Sequence, residues 1–363
     1  MSGGESDANE GIRVLVVAPG DPALPHAGDV EAAYQFRRVF AQSYPSSLYH
    51  FKGHSILLPR IQIFARLFTW MANYLAYLLK RRNDRLVVFV YNYPEISFFS
   101  SIIRRVFLRK CKVVPYTAFI PVSKRNRDGN ILRNSVWVSN FMANALADAI
   151  AYPPGTEGLL TFRGKPHFSL PDVVVDTDAF HFDENGRRLV RASLRLGASR
   201  VVGLIGPFHN ANLPSLQWLQ RNLNNFDPDV VFMIIGDCPA RYQVPNPRLF
   251  YVGRVATFAS HLSACDCVLI PRFFFIGTPM NKMIYSMAVG LPVVTNAAEG
   301  MNLVNGQNAI LGKLEDLPNL TNVLLSDPQL SQAIGKKGRD LIVESYSLKA
   351  NASRFGACVK AVA

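Results

Sequence analysis

Cysteine patterns, acidic side chains and nucleotide-binding glycine motifs are all sparse in this 363-residue sequence, and each shortage excludes something. The five cysteines, Cys111, Cys238, Cys265, Cys267 and Cys358, are odd in number and scattered, with one C-x-C pair inside an apolar run. They offer neither a disulfide framework nor a zinc-ligand spacing, so a reducing compartment is expected. No G-x-G-x-x-G and no G-x-x-x-x-G-K-[ST] loop occurs, which argues against dinucleotide and P-loop chemistry. The opening MSGGESDANEG lacks the basic start and apolar core of a secretory signal and reads as a loose tail over residues 1–11. The sequons at Asn319 and Asn351 accordingly carry no weight. What remains is rich in core material: 49% hydrophobic against 18% charged. That excludes a disordered or fibrous chain, and the length suggests two domains.

Acids are outnumbered, 26 Asp+Glu against 39 Lys+Arg, for a net +13, and the excess is local. Between His50 and Arg133 stand 16 Lys/Arg and three acids, Asp84, Glu95 and Asp128. From Asp176 onward, 18 Lys/Arg meet 14 acids. Nucleic-acid binders carry their cations in polar, solvated stretches. Here they are interleaved with aromatic and aliphatic residues, a pattern suited to an anionic membrane surface. The expected partner is therefore a membrane, met through residues 50–133, and not a nucleic acid. The stretch Ile61–Leu79 is nearly long enough to span a bilayer. Gln62, Arg66 and Asn73 interrupt it, and Arg66 alone would cost about 2.5–3.5 kcal/mol in hydrocarbon. Its flanks, Arg60 and Lys80-Arg81-Arg82, are basic on both sides and give no orientation. A domain helix with one face at the membrane is the expectation.

Short β-rich runs alternate with helical patterns along the whole chain. IRVLVVA (12–18), LVVFVY (86–91), KVVPYTAF and SVWVS read as strands. AAYQFRRVFAQ, ISFFSSIIRRVFLRK (96–110) and NFMANALADAIA read as helices. A second round follows Pro171: a helix closed by Gly197, then VVGLIG, VVFMIIG, RLFYVG, CVLIP and LPVVTN as strands with helices between them. This alternation predicts doubly wound α/β domains, whose ligands bind beyond the C-terminal ends of the strands. Within CVLIPRFFFIGTPMNKMIYSMAVGLPVVTN, Gly277-Thr278-Pro279 opens a helix, with Thr278 as its cap and Pro279 in its first turn. Such an opening binds phosphate through free N–H groups and the helix dipole, and Lys282 one turn later adds a point charge. An ordinary capped helix with a solvated lysine is the plain alternative.

The segment HLSACDCVLIPR…GTPMNKMIYSMAVGLPVVTNAAEGMNLVNGQNAIL resembles the donor half of GT-B glycosyltransferases of glycosyltransferase family 4, the group 1 glycosyl transferases. LPDVVVDTDAF, GLIGPFHNANLPSLQWL, FMIIGDCP…FYVGRV and LLSDPQLSQAIGKKGRDLIVESYSLKANASRF follow in the family's order, so most of residues 170–355 are covered. The first half resembles the family in architecture and in the loop HAGDVEAA. The resemblance implies a GT-B fold: two Rossmann-like doubly wound domains facing across a cleft, residues 12–172 for the acceptor and 173–345 for the donor. Residues 346–363 would form a helix crossing back to the first domain. It implies transfer of a sugar from a nucleotide-diphosphate-sugar, in glycan or polysaccharide synthesis on a lipid-linked or other membrane-borne acceptor. The protein would sit peripherally on the cytoplasmic face of a membrane, with no cofactor and no metal.

By the same resemblance, Gly253-Arg254-Val255 would lie beside the nucleobase, and Gly277, Thr278, Pro279, Asn281 and Lys282 near the diphosphate. The stretch 206–212, with Gly206 and His209, would face the cleft, and Arg272, Tyr285 and Glu299 would complete the donor site. The sequence also departs from the family. Its usual pair of glutamates is missing: Tyr285 stands before Ser286-Met287-Ala288, and phenylalanines or Ile276 stand where the first glutamate belongs. PFHNAN replaces the family's Arg and Lys after the first strand of the donor domain. A non-catalytic glycosyltransferase-like scaffold is therefore the second reading. For the catalytic base the candidates are Asp29 and His26, with Asp21, in the loop after the first strand, where such a group could take a proton from an acceptor hydroxyl. Turn or cap roles are the alternatives for each.

Overall fold

In the computed structural model, the alternating runs close into two parallel sheets of six strands each. The structure describes residues 11–19, 35–51, 71–91, 94–108, 110–116, 140–154, 164–208, 212–273, 281–298 and 301–363. The chain divides into two units, Met1–Val174 with Asn351–Ala363, and Val175–Ala350.

The first sheet runs β2-β1-β3-β4-β5-β6. Its strands are β1 (Ile12–Pro19), β2 (Ser46–Phe51), β3 (Arg85–Tyr91), β4 (Cys111–Tyr116), β5 (Ile150–Tyr152) and β6 (His167–Ser169). From Leu86 to Tyr91 every residue of β3 is buried. Helices cover both faces of such a sheet, which is why its strands read as unbroken apolar runs. On one face, helical residues 71–79 and the helix Pro94–Phe107 lie side by side, with the Tyr74 and Ser100 hydroxyls 2.9 Å apart and Leu78 and Ile103 in one core with Val88 and Val90. Phe89 has the opposite parity and points to the other face. There it meets Phe36 at 5.7 Å and Phe40 at 5.1 Å between ring centres. Phe355, from the helix Leu348–Val362, closes this cluster at 5.2 Å from Phe36 and 5.1 Å from Phe40.

The helical reading of NFMANALADAIA holds for residues 140–146 only; Ile150–Tyr152 is a strand. Charges end the helix. Lys165 Nζ donates to the carbonyls of Asn144, Ala145 and Ala147, capping the last turn. Asp148 then accepts the Val113 N–H at 2.8 Å and pairs with Arg104 at 3.0 Å, turning the chain into the sheet. SVWVS and residues 61–70 of the long apolar stretch lie outside the described residues. Among the described residues no helix is long and apolar enough to cross a membrane.

The second sheet runs β12-β11-β10-β7-β8-β9. It comprises β7 (Arg200–Ile205), β8 (Val230–Ile235), β9 (Leu249–Gly253), β10 (Cys267–Ile270), β11 (Val293–Thr295) and β12 (Ile310–Leu311). At the edge where the strands begin, Asp266 holds elements together. It accepts from Arg187 at 2.6 Å and from the Val201 N–H at 2.7 Å, and Arg191 approaches to 3.5 Å. The C-x-C pair thus flanks a structural aspartate, and both thiols are buried, with burial pushing them up. The helix Pro328–Ser345 packs so closely that a Cβ on Gly335 would lie 2.2 Å from the Gly290 carbonyl oxygen.

Phe355→Ala removes a fully buried ring from the first unit and is expected to cost that unit about 3–5 kcal/mol, measured by urea denaturation.

Candidate functional site

In the strand order of the second sheet, β7 is flanked by β8 and β10. The connections leave it in opposite directions, so the switch point at which doubly wound folds bind ligands lies at the C-terminal ends of β7 and β10.

Backbone contacts shape the β7 side of this point. Strands β7, β8 and β9 each run into a glycine with positive φ: Gly206 (153°), Gly236 (123°) and Gly253 (68°). The Gly206 N–H donates to the Ile235 carbonyl at 2.9 Å, and the Gly236 N–H to the Gly253 carbonyl at 2.8 Å. A Cβ on Gly236 would fall 2.2 Å from the Gly206 carbonyl oxygen, and one on Gly206 would meet the Asn212 side chain at 3.0 Å. On the β10 side, Asn296 clamps Arg272, accepting its N–H at 2.7 Å and donating to its carbonyl at 2.9 Å. Ser215, in the helix Leu213–Asn222, donates to the Pro271 carbonyl at 2.7 Å and joins the two sides.

Lys282 reaches this point from the helix Asn281–Ala288. Its Nζ donates to Asn212 Oδ1 at 3.0 Å and to the Ile205 carbonyl at 3.4 Å, while Asn212 Nδ2 donates to the Pro207 carbonyl at 3.2 Å. Both acceptors of the ammonium are neutral. Burial pushes its pKa down to about 8, and the nearby Arg272 guanidinium adds to the shift. A partly desolvated cation on neutral acceptors, with a second cation beside it, is poised for an anion that replaces those acceptors with full charge.

Of the residues singled out in the sequence, Gly206, Arg272, Asn281 and Lys282 therefore belong to strand ends and a helix start around one point. Arg254 lies after β9, exposed and paired with Asp237 at 2.6 Å; Val255 follows it, partly buried. Tyr285 is buried, with its ring 5.1 Å from Phe180 and 6.0 Å from Phe258. Arg339 fastens the same region, donating to the carbonyls of Thr177, Phe180 and Ala288. Asp21, His26, Asp29, His209, Gly277, Thr278, Pro279 and Glu299 lie outside the described residues. The bond between Asn212 and Lys282 joins positions 70 apart, and no local pattern announces it. The three strand-ending glycines did carry a signal, since GLIG, MIIG and FYVG repeat one arrangement.

The family model for glycosyl transferases group 1 matches residues 199–326. A comparison with curated protein sequences gives no match. Among solved structures, the chain is similar to Anabaena Alr3699/HepE in complex with UDP-glucose, at 15% identity and a TM-score of 0.70, over 96% of this chain and 99% of that one. It is similar to the sucrose-phosphate synthase of Thermosynechococcus elongatus at 15% identity and a TM-score of 0.70, over 96% and 98%. It is also similar to WaaG, a glycosyltransferase involved in lipopolysaccharide biosynthesis, at 12% identity and a TM-score of 0.65, over 96% and 99%. These likenesses establish the GT-B fold.

Lys282 makes stability depend on pH. Its folded pKa of about 8 lies below the value of about 10.4 for an unfolded chain. Between the two, the unfolded state holds the extra proton, so this lysine's contribution to stability rises with pH through that window. Lys282→Met is expected to flatten the rise and to stabilise the protein by about 1–3 kcal/mol at pH 7, measured by denaturation at pH 7, 8.5 and 10.

Proposed function

We propose that this GT-B chain, whose residues 199–326 match the group 1 glycosyltransferases, transfers a sugar from a nucleotide-diphosphate-sugar to a lipid-linked or other membrane-borne glycan acceptor. The observation that carries the donor side is Lys282 at the switch point of the second sheet, on the neutral oxygens of Asn212 and Ile205 and beside Arg272. In this reading the diphosphate takes up the ammonium, and Lys282 holds the negative charge that grows on the leaving group as the glycosidic bond breaks. With Gly277-Thr278-Pro279 read from the sequence as a helix opening, the N–H groups of Gly277 and Thr278 would add to the same charge. No metal is called on in this assignment. Asp29 or His26 would serve as the base for the acceptor hydroxyl.

The basic, aromatic window 50–133 supports the membrane-borne acceptor and a peripheral place on the cytoplasmic face of a membrane. The complexes of the Anabaena protein with UDP-glucose and with UDP make uridine nucleotides the first donors to try. One observation favours the second reading, a scaffold without activity. The position where the family carries a glutamate holds Tyr285, buried between Phe180 and Phe258 as a packing residue.

A nucleotide-sugar panel is expected to raise the melting temperature, since a ligand that binds only the folded state stabilises it. Lys282→Ala should reduce that shift and lower donor turnover by about ten- to a hundred-fold, the usual loss for a charged hydrogen bond. Unchanged turnover in the variant, or no shift from any nucleotide diphosphate, would favour the scaffold. Turnover is expected to survive EDTA, measured by release of nucleoside diphosphate. Because bound phosphate raises the lysine's pKa, binding at pH 8.5 should take up protons, read from calorimetry in buffers of different ionisation heat.

A further inference from the structure

All six strands of the first sheet are parallel, so the helices that precede β3 and β4 end together at the edge where those strands begin. Helical residues 71–79 run into Lys80, Arg81 and Arg82, and the helix Pro94–Phe107 carries Arg104 and Arg105 in its last turn, with Lys110 just beyond. The contact between Tyr74 and Ser100 sets the two helices side by side. Arg13 and Arg85, at the starts of β1 and β3, bring two more cations to this edge. Its acids are engaged: Asp148 by Arg104 at 3.0 Å and Lys112 at 4.0 Å, Asp84 by Arg13 at 3.9 Å. Lys80, Arg82, Arg105 and Lys110 are exposed, and among the described residues no carboxylate pairs with them.

Large apolar side chains stand among these cations. Val106 is 63% exposed and Phe107 57%, with Ile102 and Leu79 at 39% and 37%. A phosphodiester backbone calls for cations without aliphatic company. Cations around exposed aliphatic and aromatic groups match a lipid surface, with anionic headgroups for the first and the acyl boundary for the second.

We propose that this edge of the first unit, centred on Leu79–Arg82 and Ile102–Phe107 with Lys110, is the surface that docks the protein onto anionic lipid. The proposal rests on the membrane reading above and narrows it from the whole window 50–133 to one end of one sheet. Cations of that window such as Arg104 and Lys112 are occupied inside the fold by Asp148.

The test uses the full chain and flotation with vesicles of phosphatidylcholine alone or with about a third phosphatidylglycerol. Wild type is expected to float with the anionic vesicles only, and less as salt rises. Val106→Ser with Phe107→Ser, and separately Lys80→Gln, Arg82→Gln, Arg105→Gln and Lys110→Gln together, should each lower the bound fraction at least tenfold. The unfolding midpoint and the nucleotide-induced rise in melting temperature should be unchanged, which separates lost docking from lost folding and from the donor site. If wild type floats and both variants bind within twofold of it, this surface is wrong while the membrane reading stands. If wild type ignores anionic vesicles at low salt, both fall. If an RNA or DNA duplex competes the protein off vesicles and the same variants lose duplex binding, the surface is a nucleic-acid site and the proposal is overturned.

Discussion

Gly236 has no side chain because the carbonyl oxygen of Gly206 stands where its Cβ would be, 2.2 Å away. This approach draws the ends of β7 and β8 together. The Gly206 N–H then reaches Ile235, the Phe208 N–H reaches the Asp237 carbonyl, and the Gly236 N–H reaches Gly253. The geometry of the site follows from it. The turn after β7 presents the Ile205 carbonyl and seats Asn212 against Gly206, and these two oxygens receive Lys282. Both partners of the lysine are neutral and hold it weakly enough to be exchanged. A side chain at either glycine would displace the ammonium without touching it.

Most of the second unit was legible because β7, β8, β10 and β11 are buried on both faces and each of the first three strands runs into a glycine. Periodicity and backbone chemistry then point to the same boundaries. The first unit was less so. β2, SSLYHF, has polar residues at its start and is absent from the strands read in the sequence; β1 pairs with it at six positions. β5 and β6 are three residues each, too short for any periodicity. The switch point could be anticipated from strand alternation, and Lys282 from its place after a helix opening. The pairing with Asn212 and the burial of Tyr285 between Phe180 and Phe258 depend on contacts between distant segments.

The net charge illustrates the same limit. A count over residues treats every cation alike, whereas the fold sorts them by the oxygen each one faces. Lys165 is spent on three carbonyls at a helix end, Arg187 and Arg191 on Asp266, and Arg339 on the backbone near Phe180. The exposed Lys80, Arg82, Arg105 and Lys110 share one edge of the first sheet, and that placement is a property of topology.

Phe355 has a consequence for the order of events during synthesis. The aromatic core formed by Phe36, Phe40 and Phe89 is completed by a residue that the ribosome delivers only after all of Val175–Ala350. At about 5–20 residues per second, tens of seconds separate the two. The second unit is contiguous and ends at Ala350, so the first unit cannot be completed until the second has been made. During that interval the nascent first unit holds its aromatic core without the Phe355 ring.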